Sequence, residues 1–410
     1  MSEIQKHTKP NVPNLRFPGF SGEWERIRVS DLLVFFSTNS LSWEQLEYGG
    51  KEILNLHYGL IHNGLPTQIN LEECTLPSVK PDCKPRKYTL CKDGDVAFAD
   101  ASEDTNDVGK VVEFTNCADR EIVCGLHTIH GRDKLGKTVP GFKGYAFSSS
   151  AFHNQIRRIA QGTKIFSINT GNFEESFISI PIKEEQNKIA SLLSLIDQRI
   201  AIQNKVIEDL KKLKTAIEER IIKLVQGKQI SLGDILEERN EKSTENNQFE
   251  VLSSTVTGIF NQREYFNKDI ASANNSGYKI VRRGDIVLSP QNLWMGNINY
   301  NDCFEIGIVS PSYKVFSIRK AFDERYVSFL LKTKKALWEY SLVSEQGASI
   351  VRRNLNYESF REISFQIPSY NKQKEVGNVI TAVNRKLLLE QKLLLSLSRQ
   401  KSFLLSNMFI

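Results

Sequence analysis

Between residues 189 and 221 apolar side chains recur at alternating steps of three and four: Ile189, Leu193, Ile196, Ile200, Ile207, Leu210, Ile217 and Ile221, with Gln203 and Lys214 standing in the same series. That is the period of a helix that offers one seam to a partner helix. Val376, Ile380, Val383, Leu387, Leu394, Leu397, Leu404 and Met408 repeat the series, each 187 residues after its counterpart, and Glu390 and Lys401 fall where Gln203 and Lys214 fell. A polar residue in a buried seam costs stability and fixes register. Shared interruptions therefore mark two copies of one helix. A helix over 188–224 would extend on the order of 55 Å at about 1.5 Å per residue, too long for the face of one domain of this size. The pattern predicts helices that pair with each other, antiparallel if the copies are related by a twofold axis.

The segments before each helix have the short alternation and frequent glycines of strand-and-turn structure, with Gly59, Gly64, Gly94, Gly109, Gly258, Gly277, Gly284 and Gly296 among the turn signals. They repeat as well. Tyr88-Thr-Leu-Cys-Lys-Asp-Gly-Asp95 returns as Tyr278-Lys-Ile-Val-Arg-Arg-Gly-Asp285, and Gln161-Gly162 as Gln346-Gly347; Pro181-x-x-x-x-Gln186 then returns as Pro368-x-x-x-x-Gln373 at the start of each helix. The expected fold class is α+β: two mixed α/β domains, residues 1–182 and 227–370, separated by two long helices, 183–226 and 371–410, that form an antiparallel coiled coil with an internal pseudo-twofold repeat.

Composition narrows the function without deciding it. In 410 residues, 40% hydrophobic and 25% charged is ordinary for folded domains, and no apolar run is long enough for a membrane span or a secretion signal. A cytoplasmic protein with no membrane partner is expected. Five of the six cysteines lie between Cys74 and Cys124, yet no Cys-x-x-Cys pair occurs and His127 and His130 lack matching spacing. The cysteines read as reduced thiols, with no metal expected. The net charge of +6 permits a polyanionic partner.

One stretch, Gly131-Arg-Asp-Lys-Leu-Gly136-Lys137-Thr138, matches a phosphate-binding P-loop literally and makes a nucleotide hydrolase the enzymatic alternative. Such a loop must open a helix at Lys-Thr, and Val139-Pro140-Gly141 follows instead. The segment reads as a solvated basic loop. A coiled-coil protein scaffold is the structural alternative. No catalytic constellation is visible, because His57, His62, His127 and His130 lack a nearby nucleophile or orienting acid.

Taken in order, Leu15-Arg-Phe-Pro-Gly-Phe-Ser-Gly-Glu-Trp24, Val29-Ser-Asp-Leu-Leu33, the two Gly-Asp turns, the Gln-Gly turns and Ile180-Pro-Ile-Lys-Glu-Glu-Gln-Asn-Lys-Ile189 resemble the specificity subunits of type I restriction-modification systems, over nearly the whole chain. The resemblance implies two target-recognition domains, each reading half of a bipartite double-stranded DNA site, held apart by the two helices. It implies docking of two methyltransferase subunits and, in the full complex, two restriction subunits. The chain itself would be non-catalytic and bind no cofactor; S-adenosylmethionine, ATP and Mg would belong to the partners. Pro368-Ser-Tyr-Asn-Lys-Gln373 departs from the pattern by lacking the acidic residues that precede Gln186, which raises the expectation that methyltransferase docking differs between the halves.

Base edges are read by donors and acceptors on loops and helix ends, with further cations on phosphate. Three loop pairs supply them at equivalent places in the two halves. Residues 57–63, with His57 and Asn63, match residues 255–263, with Thr255, Thr257, Asn261, Gln262 and Arg263. Residues 100–106, with Ser102, Thr105 and Asn106, match residues 289–294, with Gln291 and Asn292. After the Gln-Gly turns Lys164 stands against Ser349, Arg352, Arg353 and Asn354.

Overall fold

The computed structural model describes residues 10–50, 52–117, 120–266, 272, 274–346 and 352–410. The two apolar series form helices Lys183–Leu224 and Tyr370–Asn407. The chain divides into two units, Met1–Lys205 with Lys392–Ile410 and Val206–Gln391, so each unit holds part of both helices. In the first, Ile189, Leu193 and Ile196 are buried in one cluster with Leu404, Met408 and Phe409, and Lys401 reaches Asp197 at 2.6 Å. In the second, Ile217 and Ile221 pack on a cluster that contains Val376 and Ile380. The start of one helix meets the end of the other and the reverse, an antiparallel pair. The seam positions are the covered ones, while Leu195, Ile202, Leu388, Leu393 and Phe403 stay exposed beside them.

The first unit is built on a five-stranded sheet in the order Leu33–Phe36, Thr128–Asp133, Val96–Ala99, Val111–Thr115, Gln68–Asn70, antiparallel except for the last pair. Side chains alternate across a strand. Val96 and Phe98 accordingly enter the cluster that contains the helix seam, and Ala97 and Ala99 enter a second cluster around Leu56, Ile69 and Phe114. The second unit has four antiparallel strands in the order Leu236–Arg239, Lys314–Ile318, Ile286–Leu288, Ile298–Tyr300. Ile286 and Leu288 share a core with helices Glu324–Leu330 and Lys334–Leu342, and Val287 lies in another with Leu252 and Val281.

The repeated landmarks have repeated physical causes. Gly94 and Gly284 adopt φ of +81° and +91°, a left-handed turn that a side chain would strain. The carboxylate that follows closes each turn: Asp95 accepts the Lys92 N–H at 2.9 Å and Asp285 the Arg282 N–H at 2.7 Å. At the helix starts, Gln186 donates to the Pro181 carbonyl at 2.8 Å and Gln373 to that of Pro368 at 2.9 Å. Each also accepts a backbone N–H from its own unit, from Val139 at 2.9 Å and from Asp323 at 3.0 Å. The acidic residue absent before Gln373 also has a local cause. Glu185 is buried beneath the Arg16 guanidinium, which grips both its oxygens at 2.8 Å. Arg16 belongs to the amino-terminal segment that includes Trp24, whose indole meets Phe409 edge-on at 6.2 Å.

The segment with the P-loop spelling differs from the solvated loop expected of it. Gly131 lies inside the strand Thr128–Asp133, Thr138 donates its N–H to Asp133 at 2.8 Å, and Lys137 pairs with Glu25. The next helix, Phe142–Phe147, begins only after Gly141, so Lys137 and Thr138 open no helix. The stretch braces the long helix through Gln186. No helix among the described residues is long and apolar enough to cross a membrane.

Candidate nucleic-acid interface

In the first unit the three predicted loop groups meet. Residues 58–62 form a short helix instead of a loop, capped by His57, whose Nδ1 accepts the Gly59 N–H at 3.1 Å. The imidazole is buried between Trp43 and Tyr58, at 4.5 and 4.8 Å between ring centres. Burial, with His127 nearby, holds its pKa below the usual histidine value. His57 is therefore turned inward and neutral, a support for the loop, while Asn63 is exposed. His62 Nε2 lies 2.8 Å from the Ala101 carbonyl. Strand Ala101–Ser102 pairs in turn with Phe166–Ser167, so Ser102 lies across from Phe166 and the exposed Lys164 sits in the turn beyond. Asp104 organises the second loop by accepting from the backbone N–H of the exposed Asn106 at 2.8 Å, with Thr105 half-buried between them. A groove of about 600 Å³ opens here, lined by Phe36, Thr38, Asp100, His127, Ile165 and Asn169 among others.

In the second unit the equivalent groups also converge. The turn that carries Thr255 and Thr257 joins strands Leu252–Ser254 and Ile259–Asn261, and Thr255 Oγ1 accepts the Thr257 N–H at 3.1 Å. Asn261 accepts the N–H of the exposed Arg263 at 3.1 Å, and Gln262 donates to Ser253 at 2.9 Å. Gln291 and Asn292 lie on a 3-10 turn, Pro290–Met295. Lys332 ties that turn to the first group, donating to the Gly296 carbonyl at 2.8 Å and the Val256 carbonyl at 3.1 Å. The third group arrives through Arg353, whose guanidinium lies 4.2 Å over the Trp294 ring and whose Nε has no hydrogen-bond partner among the described residues. Arg352 and Asn354 flank it, exposed. Ser349 lies outside the described residues.

Exposed donors and acceptors held on a rigid frame, with cations beside them, suit groove reading and phosphate contact. Lys332 was not among the residues singled out by sequence, although the basic run Leu-Lys-Thr-Lys-Lys at 331–335 was available as a signal. Asn297 and Asn299 were also missed. They donate to the Ser254 and Thr255 carbonyls at 2.9 and 2.7 Å and hold the first turn open from beneath.

Residues 126–212 match the family model of the type I restriction modification DNA specificity domain. Across that stretch the chain is similar to a type I restriction-modification DNA specificity domain. The stretch spans strand Thr128–Asp133, the turn around Lys164 and most of the central helix, so it joins the loop frame to the helix pair. Among solved structures, the type I restriction-modification S subunit from M. genitalium has the same fold, with a TM-score of 0.60 at 18% identity over 97% of this chain and 99% of that one. A structure concerned with complex assembly and conformational transition of the type I restriction-modification system is similar at a TM-score of 0.53 and 13% identity, over 96% of this chain and 98% of that one. The S-subunit fold thus extends over nearly the whole sequence. No curated protein matches it.

Proposed function

We propose that the chain is the DNA-reading subunit of a type I restriction-modification complex, with residues 1–182 and 227–370 as target-recognition domains that each read one half of a bipartite double-stranded target. The observation that carries this reading is the repeated frame. A left-handed Gly-Asp turn, a glutamine-braced helix and three converging loop groups occur in both units, and the exposed side chains on the loops differ between them. A common scaffold with divergent tips is what two readers of unlike half-sites require. Asn63, Asn106 and Lys164 in one unit, and Thr257, Arg263, Gln291, Arg352 and Asn354 in the other, are exposed for that contact. Arg353, stacked on Trp294, supplies the guanidinium for a base or phosphate contact in this reading.

The chain acts without catalytic chemistry of its own, in the cytoplasm. S-adenosylmethionine, ATP and Mg serve methyltransferase and restriction subunits that dock on it, and the exposed apolar side chains beside the helix seam, Leu195 and Ile202 in the first unit and Leu388 in the second, supply a surface of the chemistry such docking needs. Adenine-methylation mapping in a host with and without this chain, its partner subunits present in both, tests the reading. A bipartite methylated motif that appears only with the chain supports it, and an unchanged methylome refutes it.

A further inference from the structure

Cys91, Cys124 and His130 are far apart in sequence, and each is 5% exposed or less. Cys91 immediately precedes the Gly-Asp turn, Cys124 ends strand Ile122–Cys124, and His130 sits mid-strand in Thr128–Asp133. Pairing of Thr128–Asp133 with Val96–Ala99, and the Cys91 N–H bonded to the Ile122 carbonyl at 2.9 Å, bring the three together. One donor atom from each lies within 4.8 Å of the others.

Several features of the group go beyond thiols packed in a core. The sulfurs are 3.5 Å apart. A disulfide would place them at about 2.05 Å, whereas two thiolates on one tetrahedral zinc, each about 2.3 Å from it, stand roughly 3.8 Å apart. Thiols in simple contact come about as close, so the imidazole decides. His130 Nε2 lies 2.8 Å from the buried Asp95 carboxylate, which fixes the ring and leaves Nδ1 as the nitrogen that can ligate an ion once it carries no proton. Asp95 is itself held by Arg132 through two contacts at 2.8 and 2.7 Å and by the Lys92 N–H at 2.9 Å, so its oxygens are committed to orienting the ring. A carboxylate behind a histidine is the usual second layer of a metal centre. The charge also closes. Two thiolates and Asp95 carry three negative charges, and a divalent ion with Arg132 carries three positive, a neutral set suited to a low-dielectric interior.

We propose that Cys91, Cys124 and His130 form a buried binding site for a divalent zinc-class ion, oriented by Asp95 and built from none of the side chains proposed to read DNA. Binding displaces both thiol protons and any proton on the ligating imidazole nitrogen to solvent, and the three protein donors leave one tetrahedral position for a small ligand. The ion ties the strand Thr128–Asp133 to the Gly-Asp turn and to the strand Ile122–Cys124. The test uses the full chain, reduced and stripped with a chelator, then titrated with Co²⁺ and back-titrated with Zn²⁺. The expected result is one equivalent of Co²⁺ with thiolate charge-transfer bands that zinc abolishes. Saturable uptake is lost in Cys91→Ser and in Cys124→Ser and kept in Cys303→Ser, whose thiol is exposed in the other unit. Should the serine variants fail to fold, X-ray absorption of the zinc-loaded parent chain decides, with two sulfurs and an imidazole nitrogen expected. No saturable uptake, a sulfur-free shell, or bands that persist in both serine variants would overturn the site.

Discussion

Gln186 offers the sharpest test of how the long helix is joined to its globular unit. The side chain is 1% exposed and is spent on three backbone groups: it accepts the Val139 N–H at 2.9 Å and donates to the carbonyls of Lys137 at 3.0 Å and Pro181 at 2.8 Å. Gln186→Leu keeps roughly the volume and removes all three contacts. A buried polar group left without a partner costs about 1–3 kcal/mol. Pro181 is buried, while Lys137 and Val139 keep partial access to water, so the sum comes to roughly 3–4 kcal/mol. Hydrogen exchange read by mass spectrometry localises the effect, because opening free energies are measured segment by segment. Exchange should accelerate by that amount in residues 137–140 and 181–190 and stay unchanged in residues 206–391. Gln373→Leu should act in the second unit and more weakly, since among the described residues Gln373 serves only the Asp323 N–H and the Pro368 carbonyl. Protection at 137–140 and 181–190 that stays within about 0.5 kcal/mol of the parent would show that the glutamine does not carry the joint.

Lys137→Ala removes only a surface pair with Glu25, so its stability cost should be below about 1 kcal/mol, and restriction and modification by the reconstituted complex should be unaffected; abolished turnover in a folded variant would revive the P-loop reading. Lys143→Met strips the buried Glu113 carboxylate of its counter-ion, 3.5 Å away, and should destabilise the first unit by about 3–5 kcal/mol in denaturant titration, with partial recovery when Glu113→Gln is added; an unchanged midpoint would contradict the pairing. Arg353→Ala should weaken specific DNA binding of the methyltransferase complex by about 1–3 kcal/mol and relax one half-site only, while equal weakening on specific and nonspecific DNA would reduce Arg353 to a phosphate contact.

The helix pair was legible in the sequence because a seam needs only local spacing, sustained over ten positions and repeated with its polar breaks. Ile189, Leu193, Ile196, Val376, Ile380 and Met408 are buried as that spacing requires. The Gly-Asp turns were legible for a similar reason, since a left-handed glycine followed by a carboxylate is a local device. Long-range pairing was not legible. Nothing in the spacing of Cys91, Cys124 and His130 groups them, because their meeting depends on which strands neighbour each other. His57 was read as a loop donor because its side chain suits base contact; the Trp43 and Tyr58 rings that enclose it, and the Gly59 N–H it caps, are features of the folded loop. The P-loop spelling was rightly set aside, but reading the segment as a solvated loop missed its environment: Asp133, inside the motif, accepts the Thr138 N–H, and Gln186 engages Val139 from the long helix.

The claim that each unit reads its own half of a bipartite site is tested most directly by exchanging one reader. Residues 240–360 are replaced by the corresponding segment of another type I specificity subunit, and adenine methylation is mapped across the genome with the partner subunits supplied. One half of the methylated motif should change to the donor's half-site while the other stays as in the parent. A motif altered in both halves, or in neither by an active complex, would contradict the two-reader account.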